Sequence, residues 1–374
     1  MHILIAPDSF KGTLSSLEAG NILEEVVLSL YPSWETEVIP MADGGEGTVD
    51  ALAAAAGGEP VTDRVEGPLG EAVEARSLRL PGGRAVMEMA EASGLLLIPE
   101  EKRNPWLTST FGTGEMIVHA LDRGDRHIYM GIGGSATCDG GMGAMEALGV
   151  RFLDREGRML AGQGSSLGQV ETIDLSHLHG GVKDMELTIL SDVTNPLCGR
   201  RGAARVFGPQ KGADSAMVEA LEAGMVHYGR VLEKTFGKDV VHLAGGGAAG
   251  GLGVALLLSL HGTMASGAEK VLELTGFDHR LEKADLVITG EGRTDAQSGE
   301  GKITGIIAAH CKKKGVPCIV LSGSLGEGWE SLLPLGATAV LPVAEGENIR
   351  KSMKEPARWY RKAAERFLKK RFGN

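Results

Sequence analysis

The chain predicts an α/β fold: a doubly wound, Rossmann-like parallel sheet domain with a second, mixed α/β domain inserted into it. Three observations carry this. Strand-length apolar runs alternate with helix-length amphipathic stretches at both ends of the 374-residue sequence, the pattern of a parallel sheet with crossover helices. From about Val61 the middle switches to alternating segments broken by Pro-Leu-Gly and Pro-Gly-Gly, the pattern of antiparallel strands. The length itself implies two domains. Residues 1–64 plus 266–374 are assigned to the discontinuous Rossmann-like domain and residues 65–265 to the insert, with the active site expected in the cleft between them.

Taken in order, His2–Ala6 is an apolar run that reads as a buried strand. Ser15 or Ser16 caps a helix to about Leu30, with Leu17, Ala19, Ile22, Leu23, Val26, Val27 and Leu30 on one face. A second strand over Glu37–Pro40 leads into Asp43–Gly47, and a helix follows over Thr48–Ala56. Val61–Val65, Ala72–Leu80 and Arg84–Met89 read as the antiparallel strands. Ser109–Leu121 is a helix, Arg126–Met130 a strand, Asp154–Arg158 a hairpin turn, Leu187–Leu190 a strand and Ala213–Phe236 a long helix. Alternation then returns, with strands at Leu286–Thr289, Pro317–Leu321 and Ala337–Leu341 and helices at Lys302–Lys314 and Glu327–Leu333. A basic helix over Arg350–Arg371 ends the chain. Its Trp359, Ala363, Ala364, Phe367 and Leu368 form an apolar face that packs on a domain.

Composition narrows the function. The formal net charge of −11 argues against nucleic acid, which requires a basic face, but leaves room for anionic small molecules held by local cations. No apolar run approaches the ~18 residues of a membrane span, and the N-terminus lacks a signal-peptide pattern. The four cysteines show neither CxxC nor zinc spacing. A soluble, reduced, cytoplasmic protein is expected. Glycine, at 56 residues, is roughly twice its usual ~7% frequency and shows no collagen-like period, so the excess belongs to turns and loops.

Those glycines cluster. Residues 131–149, GIGGSATCDGGMGAMEALG, hold seven of them in nineteen positions. Asp43–Thr48, Gly245–Gly253 and Gly290–Gly292 repeat the theme, each with acidic or hydroxyl residues in it or nearby. Bare backbone N–H groups and access to positive φ suit such loops to wrapping phosphate. Ligands of open parallel sheets sit beyond the carboxyl ends of the strands. Asp8, Ser9 and Lys11 follow the first strand, Asp43 the second, and Glu291 the strand ending at Thr289. These clusters are expected to converge on one edge.

Two familiar nucleotide signatures fail. Gly131–Ala136 fits G-x-G-x-x-A and Gly245–Gly250 fits G-x-G-x-x-G after Val240–Leu243. A dinucleotide fingerprint should however open a regular helix after the first strand, and Asp139-Gly140-Gly141 interrupts the first match. No G-x-x-x-x-G-K-[ST] is present, nor any protein-kinase motif set.

Taken together, the motifs resemble the bacterial glycerate kinase family, of a non-P-loop lineage. The matching segments run through nearly the whole chain. They are Ala6–Ser15 (APDSFKGTLS), Pro40–Thr48 (PMADGGEGT), Ser109–Ile117 (STFGTGEMI), Gly131–Gly149, Asp192–Gly199 (DVTNPLCG), Val206–Ala213 (VFGPQKGA), Gly245–Gly253 and Asp285–Asp295 (DLVITGEGRTD). Cys138 stands where such sequences usually have Asn, and Gly246 where Ala is common. The resemblance implies two α/β domains and transfer of the ATP γ-phosphoryl group to D-glycerate, with 2-phosphoglycerate favoured over 3-phosphoglycerate as product. A kinase of another small hydroxy acid and a non-catalytic phosphometabolite-binding protein are the alternatives.

Residue chemistry and loop position then assign roles. Asp43, Asp192 and Lys11 are the candidate catalytic set. Asp43 orients or deprotonates the attacking hydroxyl, with Asp8 as second choice. Lys11 and Arg293 are candidates for the substrate carboxylate or the transferred phosphoryl, with Ser9 beside Lys11, and Lys211 is a further anion clamp. The backbone of Gly133, Gly134 and Ser135, and of Gly247 and Gly250, is expected to cradle phosphate. Mg²⁺ accompanying ATP needs only one or two protein carboxylates, and Asp192 and Glu291 are the candidates.

Overall fold

The computed structural model describes residues 1–344 and 353–373. It divides into two compact units, one made of Met1–Asp43, Asp50–Gly57 and Ser266–Asn374, the other of Gly44–Val49 and Gly58–Ala265.

The first unit is built on a parallel five-stranded sheet. Its strands are β1 (His2–Ile5), β2 (Glu35–Val38), β11 (Leu286–Glu291), β12 (Cys318–Ser322) and β13 (Ala337–Pro342), in the order β13-β12-β11-β1-β2. All four pairings are parallel. The middle strands are continuous apolar runs because both faces are covered: Ile3, Leu4 and Ile5 of β1 are fully buried, each contributing about 1.5–3 kcal/mol. Edge strand β2 carries Glu35 and Glu37 and is partly exposed, a composition that discourages pairing with a foreign strand. Ile39 and Met41, buried just beyond it, drew the expected strand two residues too late.

The helix Ser16–Leu30 starts at a capping box, in which Ser15 Oγ accepts the Glu18 N–H at 3.2 Å and the Glu18 carboxylate accepts the Ser15 N–H at 2.8 Å. It buries Ala19, Leu23, Val26 and Val27, while Leu17 is left exposed. The last helix, Pro356–Phe372, opens on proline, whose missing N–H costs nothing there. Tyr360, Ala363, Ala364 and Leu368 join the core formed by β1, β11, β12 and the first helix. Residues 350–352, where this helix was expected to begin, lie outside the described residues.

The second unit holds a six-stranded sheet, order β10-β9-β6-β5-β4-β3, formed by β3 (Glu59–Glu66), β4 (Ala72–Leu80), β5 (Arg84–Glu88), β6 (His127–Gly131), β9 (Glu186–Leu190) and β10 (Thr263–Ala265). The meander β3-β4-β5 is antiparallel, whereas β5, β6, β9 and β10 run parallel. Because β3 pairs along its whole length with β4, residues 58–64 go with this unit. A small antiparallel pair, β7 (Arg151–Leu153) and β8 (Thr172–Asp174), flanks the turn at Asp154–Arg158. The stretch Val240–Leu243, which precedes the Gly245–Gly250 match, is a turn rather than a strand, and the Glu233 carboxylate accepts the Val240 N–H at 3.1 Å.

Residues 44–49 visit the second unit for a specific reason. The Glu88 carboxylate, buried at the end of β5, accepts the N–H groups of Gly47 (3.1 Å) and Val49 (2.7 Å). It thereby satisfies the unpaired donors at the start of the helix Thr48–Ala56. Gly131 makes room for this segment, since a Cβ there would lie 2.5 Å from the Gly44 carbonyl oxygen. Among the described residues no helix is long and apolar enough to cross a membrane.

Candidate active site

In the first unit, the sheet order reverses between β1 and β11: β1 leads to β2 on one side, β11 to β12 and β13 on the other. Open parallel sheets bind ligands at such a switch point, beyond the strands' carboxyl ends. A cavity of about 330 Å³ lies there. It brings together Asp8, Ser9 and Lys11 after β1, Asp43 after β2, Glu291 and Arg293 from the end of β11, and Lys302 at the start of the helix Ile303–Lys314.

Asp8 is fixed by its backbone, whose N–H donates to the Gly290 carbonyl at 2.8 Å and so extends the β1–β11 ladder. Its carboxylate accepts the Ser9 N–H at 2.7 Å. Burial, and then the neighbouring Asp43 carboxylate, push its pKa to about 7, against the opposing pull of the Ser9 N–H and of Lys11. Glu291 is buried, and the Thr294 hydroxyl donates to it at 3.1 Å. Burial raises its pKa too, while Ser298 and Lys302 favour the charged form. Arg293 is two-thirds exposed and pairs with Asp295 at 3.2 Å, so its guanidinium is only lightly committed.

In the second unit, a glycine-rich loop follows β6. Here the charged side chains point into the protein. Lys211 is fully buried, and its Nζ donates to Ser135 Oγ at 2.6 Å and to the Thr137 carbonyl at 2.7 Å. Burial lowers its pKa, an effect opposed by Cys138 and Asp139. Lys211 is thus a staple beneath the loop, neither a surface ion pair nor an open anion clamp. Asp139 is a second staple, accepting from the Thr110 N–H and hydroxyl (both 2.7 Å), Gly141 N–H (3.0 Å) and Gly143 N–H (3.2 Å). Cys138 is buried beneath the same loop. Between the staples, Gly133 and Gly134 are exposed. The N–H groups of Gly133, Gly134 and Ser135 have no hydrogen-bond partner among the described residues. Three consecutive free donors around a glycine at φ +72° (Gly134) form a small anion-binding concavity.

The other glycine pair behaves differently. The Gly247 N–H is spent on the Asn195 carbonyl at 3.0 Å, so it is not available to phosphate as expected from the sequence. Gly250, at φ +69°, packs against the stapled loop. A Cβ there would lie 1.9 Å from the Thr137 carbonyl oxygen, while its own carbonyl accepts the Gly140 N–H at 3.0 Å. Asp192 lies just beyond the end of β9, in the second unit, and is not among the residues lining the cavity at β1 and β11.

The sequence profile described as the glycerate kinase family matches residues 3–371. The chain belongs to the glycerate kinase family. It is 45% identical over 339 residues to the glycerate kinase of Halalkalibacterium halodurans, covering 90% of this chain and 89% of the relative. It is 43% identical over 344 residues to the glycerate 2-kinase of Escherichia coli K12, covering 92% and 90%. A crystal structure of a protein assigned as glycerate kinase 2 in Salmonella typhimurium LT2 superposes with a TM-score of 0.87 at 40% identity, over 99% of this chain and 98% of that one. The α/β architecture and the kinase activity class therefore rest on sequence and fold together.

Lys302, Phe10, Trp359 and Tyr360 line the cavity and were not singled out as site residues from the sequence. Lys302 did carry a signal, since it precedes a helix directly after the glycine-flanked Gly299-Glu300-Gly301. Trp359 and Tyr360 gave none beyond a helical apolar face.

Proposed function

We propose that the chain phosphorylates D-glycerate with ATP and releases 2-phosphoglycerate. The observation that carries this is the switch-point cavity, where a carboxylate raised to about 7 stands among Lys11, Arg293 and Lys302. The glycerate 2-kinase name of the Escherichia coli relative supports the position of transfer.

Phosphoryl transfer depends on positioning and on neutralising phosphate oxygens. Asp8 is the base. A group with a pKa near the working pH combines a useful unprotonated fraction with a real drive to take a proton, and the adjacent Asp43 carboxylate raises the basicity of Asp8. The hydroxyl of glycerate attacks the γ-phosphorus, the bond to the ADP oxygen breaks, and the hydroxyl proton passes to Asp8. Lys11 and Arg293 hold the glycerate carboxylate and the transferred group. The Gly133–Ser135 donors of the second unit suit an anionic oxygen.

The oxygen donors of the cavity suit Mg²⁺. Mg²⁺ that arrives on nucleotide needs few protein ligands. Glu291 would hold it, and it would supply charge neutralisation at the phosphates. Asp192 is retained as a second candidate carboxylate. Coupled ADP release with D-glycerate and a panel of other hydroxy acids tests the substrate, and phosphorus NMR of the product tests the position. Turnover restricted to another hydroxy acid, or a 3-phosphoglycerate signal, would overturn the corresponding part.

A further inference from the structure

The switch-point cavity is larger and less polar than glycerate requires. At about 330 Å³ it falls in the range of about 300–1,000 Å³ typical of sites for whole drug-sized ligands, whereas glycerate is a three-carbon acid with no flat or greasy surface. Three acidic and three basic side chains (Asp8, Asp43, Glu291; Lys11, Arg293, Lys302) occupy part of its lining. Another part is an apolar, aromatic wall of Phe10, Val343, Met353, Pro356, Trp359 and Tyr360. The first five residues of the last helix supply three of these: Pro356, Trp359 and Tyr360.

The wall is rigid. Phe10 and Tyr360 meet edge to face with ring centroids 4.9 Å apart and planes at 69°, and Tyr360 is almost completely buried. A flat aromatic heterocycle stacks on such a wall, to which a three-carbon acid has nothing to offer.

We infer that this aromatic wall is the nucleobase subsite, with the adenine of the donor against Trp359 and beside Tyr360 and its phosphates running toward Lys11 and Lys302. This rests on ATP being the phosphoryl donor. The last helix, read from the sequence only as a packing element, would then recognise the nucleotide.

Two measurements on the full-length protein test it, both with a non-hydrolysable ATP analogue and with inorganic tripolyphosphate, which has the phosphates but no base. In titration calorimetry, Trp359→Ala should weaken analogue binding about tenfold or more, as loss of a stacking partner does. Trp359→Phe should stay within about threefold of the wild type, and tripolyphosphate binding should not change. In fluorescence titration, the analogue should quench the wild type more than tripolyphosphate does, and the difference should vanish in Trp359→Phe. This second readout holds even if Trp359→Ala fails to fold. Unchanged analogue affinity in a folded Trp359→Ala, or equal quenching in the wild type and Trp359→Phe, would overturn the subsite while leaving ATP as donor. A wild type that binds no ATP analogue would overturn the donor reading and the subsite with it.

Discussion

The two glycine-bordered loops that follow β1 and β6 divide the work between side chain and backbone in opposite ways. After β1, the sheet fixes the backbone, through the Asp8 N–H and the Gly290 carbonyl, and the charged side chains line the cavity. After β6, Lys211 and Asp139 are buried and hydrogen-bond the loop from within, while the N–H groups of Gly133 and Gly134 are left outward. In the first place, secondary structure positions side chains. In the second, side chains position backbone. Substitutions should therefore separate by sign: changes after β1 should lower the rate without destabilising the fold, and changes under the β6 loop should destabilise it first.

The largest separation is expected at Asp8. Asp8→Asn should lower kcat by about 10²–10⁴, the usual cost of losing a general base, while keeping the acceptor for the Ser9 N–H. It should also stabilise the fold. The folded pKa of about 7 exceeds the unfolded value of 3.8, so the folded state retains a proton that the unfolded chain releases. The wild type thus loses stability as pH rises from about 4 to about 7, by up to about 4 kcal/mol, and Asp8→Asn escapes that loss. Thermal unfolding at pH 5 and pH 8 measures it. A variant no more stable than the wild type at pH 8 would show that Asp8 is not strained by its surroundings.

Next comes Asp139→Ala, which abandons four donor groups in a buried network and should destabilise by about 3–5 kcal/mol, read as a shift in the denaturation midpoint. Lys211→Met should cost about 2 kcal/mol by leaving Ser135 Oγ and the Thr137 carbonyl without their donor, and should raise KM more than it lowers kcat. If Lys211→Met instead abolished kcat in a folded protein, the contrast between the loops would fail, because Lys211 would be acting on substrate directly. The smallest effect is a shift in a pH profile. Asp43→Asn removes a carboxylate that raises Asp8, so the limb of kcat/KM that rises near pH 7 should move to lower pH.

What the sequence disclosed follows from how locally each feature is encoded. Buried parallel strands such as β1 and β12 are short apolar runs, and the residues just beyond their carboxyl ends are ligand-site candidates by position, which is why Asp8, Lys11, Asp43, Glu291 and Arg293 could be named from sequence alone and do line one cavity. Edge strand β2 was misplaced because its burial pattern is weak. Lys211 could be picked out, but its burial could not. Nothing within VFGPQKGA tells that Ser135 and Thr137, some 75 residues earlier, receive its protons. Glycines 247 and 250 share a composition with the donor loop, yet close packing against Pro196 and Thr137 explains them. The aromatic wall was hidden for the same reason, since it assembles residues from opposite ends of the chain.

That last feature has a bearing on synthesis. The Thr289 hydroxyl donates to the Ala6 carbonyl, 283 residues earlier, and β1 lies between β2 and β11 in the finished sheet. At about 5–20 residues per second on the ribosome, β1 waits roughly 15–60 s for its central neighbour to emerge. During that interval the second unit has been made in full, and β1 stands as an apolar strand with one edge unpaired. The nascent chain is therefore most vulnerable to aggregation before Leu286 is exposed, and chaperone binding should map to its first few residues.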